Sequence, residues 1–121
     1  MPSFETAREI ALALPGVTEQ PSYGTPGFKL GTKFLARLHQ DGKSLVIKIG
    51  FDEREMLMAA DPESFYITDH YKGYPAMLVG LASVPVETLR RLLEQSWRQV
   101  ASKKAVAAHD ASKLRVVASR P

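Results

Sequence analysis

Cysteine is absent from the chain, which excludes a disulfide framework, a thiolate zinc site, an iron–sulfur cluster and a cysteine nucleophile. No apolar run approaches the roughly 18 residues that a membrane span requires. The start, Met1-Pro2-Ser3-Phe4-Glu5, lacks the basic and apolar segments of a secretory signal, so a cytoplasmic protein without membrane contact is expected. Neither phosphate-loop glycine pattern occurs, and no serine stands in Gly-x-Ser-x-Gly. His39, His70 and His109 lie too far apart in sequence to form a His-x3-His or His-x-x-Glu ligand pair. Glu5 and Glu9 read as the solvated face of a helix. Nothing here signs for a metal, a cofactor or a catalytic residue, so none is expected, and the reading leans away from an enzyme.

What is present is an ordinary globular composition, 45% hydrophobic and 24% charged in 121 residues. Such a length suits one domain that buries about two-thirds of the surface its unfolded chain exposes. The formal net charge of +3 is unevenly placed. Up to residue 100 the acids slightly outnumber the bases, and the excess comes from Lys103, Lys104, Lys113, Arg115 and Arg120. A second basic stretch lies inside the domain, where Lys29, Lys33, Arg37, Lys43 and Lys48 face only Asp41 within 28–50.

Ser3 can cap a helix carrying Phe4, Ala7, Ile10, Ala11 and Leu14 at helical spacing, stopped by Pro15-Gly16. Residues 20–27 hold two prolines and two glycines and read as a shaped loop. A three-stranded meander follows over 28–50, with turns at Gly31-Thr32 and Asp41-Gly42; Asp-Gly between alternating apolar runs is a strong hairpin signal. Asp52 with Glu55 resembles a capping box and opens a short helix whose Met56, Leu57 and Ala60 can face the core. Phe65–Thr68 and Met77–Leu81 read as strands around a polar, aromatic loop at 69–75. Leu89, Leu92, Leu93, Trp97 and Val100 then mark the buried stripe of a helix that begins at Pro85. The order α-β-β-β-α-β-β-α, with short links, predicts an α+β fold: an antiparallel sheet of about five strands with helices packed on one side. The domain is expected to span 1–104, followed by a flexible basic tail at 105–121.

Strand parity sorts the meander. Phe34, Ala36 and Leu38 share one face, so Lys33, Arg37 and His39 point to the other, as do Lys29 and Lys48. That surface can neutralise phosphates; equally, lysines on a solvated outer face discourage edge pairing. In the 69–75 loop His70, Tyr71, Lys72 and Tyr74 place aromatic rings beside a cation, which suits stacking on bases. Tyr23-Gly24 has a similar make-up. Such rings also serve as lids over the end of a core.

Several segments resemble the MmcQ/YjbR-like family: Ala13-Leu14-Pro15-Gly16-Val17, Ser22-Tyr23-Gly24-Thr25-Pro26, Gly31-Thr32-Lys33-Phe34-Leu35-Ala36-Arg37-Leu38, Asp61-Pro62-Glu63-Ser64-Phe65 and His70-Tyr71-Lys72-Gly73-Tyr74-Pro75. The helix ending at Trp97 adds to the likeness, which covers about 3–104. Tyr74 departs from it, since many members carry Trp there. The resemblance implies a CyaY-like architecture and a double-wing mode of DNA binding, the wings being the 28–50 meander and the strands flanking 69–75. Frataxin-type iron binding does not carry over, because the first helix lacks the acidic ridge it needs.

Two functions remain open at this point. One is a DNA-binding protein contacting phosphates through Lys29, Lys33, Arg37 and Lys48, with Tyr71, Lys72 and Tyr74 at the second wing. The other is a protein- or small-ligand-binding module with a pocket among Tyr23, His70, Tyr71 and Tyr74. A monomer is expected in either case.

Overall fold

Ser3 opens α1 (Phe4–Leu12) with a reciprocal cap: its hydroxyl accepts from the Thr6 N–H, and the Thr6 hydroxyl accepts from the Ser3 N–H. Ala7, Ile10 and Ala11 form its buried stripe. This computed structural model describes residues 2–118, with side chains as far as Ser112. After α1 the chain passes through Gly16, at φ +77°, into a sheet of six antiparallel strands. The strands are β1 (Val17–Ser22), β2 (Thr25–Leu30), β3 (Lys33–Leu38), β4 (Ser44–Lys48), β5 (Phe65–Tyr66) and β6 (Ala76–Gly80), in the spatial order β1-β2-β3-β4-β6-β5. Between them lie α2 (Phe51–Ala60) and a single 3-10 turn, Asp69–Tyr71; α3 (Val86–Val100) and α4 (Lys103–Ala118) follow β6.

The fold is α+β as expected, with one strand more. Residues 20–27 are not a loop: β1 and β2 form a tight hairpin turning at Tyr23-Gly24, both with positive φ. Its prolines are tolerated for a positional reason. Pro21 lies on an edge strand, and Pro26 precedes Gly27, the first β2 residue paired with β3. Pro21 and Pro26 also face each other one step from the turn-closing pair, where an antiparallel ladder uses neither N–H.

The main core lies on one face of the sheet, where α1 and α3 cover Phe28, Leu35, Leu45 and Ile47. Trp97 is fully buried there and donates its Nε1–H to the Pro15 carbonyl at 2.9 Å. Two details of α2 differ from expectation. Its N-cap is Gly50 and makes no side-chain bond, which leaves Asp52 inside the first turn, where a carboxylate favours the positive end of the helix dipole. Met56 is 72% exposed and Ala60 is also exposed, while the one buried residue of α2 is Arg54.

Beyond residue 104, where the composition reads as a flexible tail, α4 runs on to Ala118. Ala105 and Val106 pack against the main core, Asp110 accepts from both Nη atoms of Arg98, and the His109 and Trp97 rings meet in a T-shaped arrangement with their centres 5.0 Å apart. The final tail positions, 119–121, lie outside the described residues. Among the described residues no helix is long and apolar enough to cross a membrane.

Candidate functional site

The second face of the sheet carries only a small apolar cluster, Val46, Tyr71, Ala76 and Leu78, with Phe34, Tyr66 and Ile67 against it. Beside this cluster lies a cleft of about 540 Å³, bounded by the Tyr23 turn on one side and the His70–Tyr74 segment on the other. Its floor is sheet: Lys29 from β2, Arg37 from β3 and Lys48 from β4.

Lys33 does not join them. Pairing between β2 and β3 passes from Phe28↔Ala36 to Lys29↔Phe34, so Leu35 is an extra residue on β3. Leu35 and Ala36 both enter the main core, and the alternation reverses on the N-terminal side of the bulge. Phe34 therefore lines the cleft, and Lys33 reaches the helix side, where its Nζ donates to the Val100 carbonyl at 3.3 Å. That carbonyl ends α3, at the negative end of its dipole. The strict parity expected of residues 33–39 thus fails by one residue.

Arg37 is only 6% exposed, and none of its hydrogen-bond partners is a carboxylate. Its Nη2 donates to the Tyr71 hydroxyl at 2.7 Å; its Nη1 reaches Thr25 Oγ1, the Leu38 carbonyl and Gln40 Oε1 at 3.2–3.3 Å. The guanidinium also lies 5.3 Å from the centre of the Tyr23 ring, a cation–π arrangement. Lys29 and Lys48 are half-buried and have no ion-pair partner among the described residues. No carboxylate is among the described residues lining the cleft.

The opposite rim is a stack of rings. His70 lies 5.6 Å from Tyr74 at 26° and meets Tyr71 edge-on at 4.9 Å. Tyr71 is buried, with its hydroxyl engaged by Arg37, so it serves as a wall. Lys72 does not line the cleft; its Nζ pairs with Asp69 at 3.2 Å. Of the residues singled out in the sequence, Tyr23, Lys29, Arg37, Lys48, His70, Tyr71 and Tyr74 come together, and Lys33 and Lys72 stand apart. Part of the 28–50 meander forms the floor of the cleft, and the segment flanking that floor is the Tyr23-Gly24 turn.

Arg54 is the residue that sequence reasoning missed. It is 4% exposed, and its Nη1 donates to the carbonyls of Tyr71, Tyr74 and Ala76 at 2.8–3.1 Å, with Nη2 reaching that of Lys72 at 3.2 Å. One side chain thereby fixes the whole rim segment. Its signal was positional: Phe51, Arg54 and Met58 share helical spacing, and Arg54 occupies the buried place between them.

Comparison with known proteins points one way. Residues 12–99 match the YjbR family. Two curated relatives, the uncharacterized proteins Rv2570 of Mycobacterium tuberculosis and Mb2600 of Mycobacterium bovis, are each 40% identical over 52 residues, 43% of this chain. The matched segment spans only 40% of the length of either relative. A crystal structure of Deinococcus radiodurans protein DR2400, a DUF419 domain, aligns with a TM-score of 0.72 at 27% identity, over 86% of this chain and 82% of that one.

Proposed function

The chain belongs to the YjbR family, and from that premise we propose that it is a cytoplasmic, monomeric DNA-associated protein which holds phosphates with Lys29 and Lys48 over the fixed charge of Arg37. Three cations share one cleft with no carboxylate among its described lining residues, and that single observation carries the proposal. Half-buried lysines without an ion-pair partner are under-neutralised, and an anion entering between them replaces water at little cost. Arg37, already tied to neutral acceptors, adds a fixed positive charge to the floor. Tyr23 and Tyr74 rise on either side as the two flanking projections.

Titration of the full chain with DNA at several salt concentrations tests this. Each phosphate contact removed should reduce the slope of log K against log[salt] by about 0.9 for duplex or about 0.7 for a single strand. Lys29→Gln and Lys48→Gln are each expected to do so, and Lys33→Gln, on the helix side, to leave the slope unchanged. Equal slopes for all three variants would remove the proposed contact surface.

The size of the cleft favours a second reading. A volume of about 540 Å³ falls within the usual range of small-molecule sites. A phosphorylated metabolite would then lie among Tyr23, His70, Tyr71 and Tyr74, and a rise in melting temperature with such a compound, without any DNA binding, would select that alternative.

A further inference from the structure

We infer that the cleft accepts an unpaired nucleotide, its base against the rim tyrosines and its phosphate over the cationic floor; the inference rests on the nucleic-acid reading above. The radial order of the groups is the first argument. A duplex presents phosphates outermost and keeps its bases stacked inside, so a surface shaped for it carries cations at its most prominent points. Here the order is inverted. The prominent groups are rings, Tyr23 at 83% and Tyr74 at 57% exposure, while Lys29 and Lys48 are half-buried and Arg37 is nearly inaccessible. Single strands with splayed bases are met by such combinations of aromatic platform and basic groove.

The second argument is that both rings are held in advance of any ligand. Tyr23 sits at φ +53°, in the left-handed region that Asn or Gly would occupy with less strain, and so keeps a large apolar ring in solvent at a backbone cost. The Arg37 guanidinium braces that ring, and Arg37 is itself fixed by its hydrogen bonds. Across the cleft Tyr74 leans on His70, and its carbonyl is clamped by Arg54. Rings ordered in this way lose little freedom when a base stacks on them.

The test compares a fluorescent single strand of roughly twelve nucleotides, a length within known single-strand site sizes, with its duplex and with a free mononucleotide as competitor. The full chain is used alongside Tyr23→Asn and Tyr74→Ala, both exposed positions. The expected result is at least about tenfold tighter binding of the single strand, lost in either variant while the salt slope stays the same, because stacking is removed and phosphate contacts are kept. Equal affinity for duplex and single strand, or a preference untouched by both variants, overturns the inference and leaves DNA association standing. Failure to bind either form of DNA brings down that underlying reading. A mononucleotide as effective as the strand would uphold the base-binding cleft and identify free nucleotide as its ligand.

Discussion

Tyr23 and Arg54 illustrate two opposite uses of one residue. Tyr23 contributes little to the fold from where it stands: its backbone conformation costs about 1 kcal/mol, against about 0.5–1 kcal/mol from the exposed ring–guanidinium contact. Tyr23→Asn relieves the first and loses the second. Its melting temperature should therefore change by less than about 4 °C, a near-neutral result that scanning calorimetry can check. Arg54 is the reverse case, buried and directed mainly at carbonyls of the rim segment, with one longer contact to Glu55 at 3.4 Å. Arg54→Met keeps much of the bulk but leaves those carbonyls without their donor, and should cost about 3 kcal/mol. Urea denaturation measures that loss, and hydrogen exchange should rise first across 69–76.

At the scale of elements, the turn between β3 and β4 carries the pH dependence. Burial opposes ionisation of Asp41, but the Lys43 N–H, the Ser44 hydroxyl and the Ser44 N–H outweigh it, with His39 adding to them, and together hold its pKa below the ordinary aspartate value. A depressed folded value means stability that is complete above the unfolded carboxylate pKa and is lost as pH falls through the folded one. Asp41→Asn should accordingly be less stable than the parent at neutral pH, and denaturation midpoints of the two should converge in acid. This turn was also the most legible feature of the chain, since Asp41-Gly42 sits between two apolar runs. The β1–β2 turn was hidden because Tyr stands where Asn is usual, and because two prolines disguise strands that their edge and end positions permit. The bulge at Leu35 left no trace, since residues 33–39 alternate cleanly on paper and the extra residue shows only against the register of β2.

For the molecule as a whole, the long-range features divide along the same line. The main core was readable because its residues recur at helical or strand spacing, as the α3 stripe ending at Trp97 does. A pocket between the Tyr23 loop and the His70–Tyr74 segment was one of two alternatives left open by the sequence, and both segments line the cleft. What could not be read was the balance of charge on the second face, because it depends on pairing between strands. Lys33 and Arg37 look equivalent four residues apart, yet one ends a helix and the other floors a cleft. Leu35 separates them. The charge of the cleft is thus encoded in chain length as well as in residue type: the loss or gain of one residue in β3 would reassign cations between the two sides of the sheet without altering composition. Among related sequences, single-residue insertions and deletions at this point would be the changes to watch, ahead of substitutions at the lysines themselves.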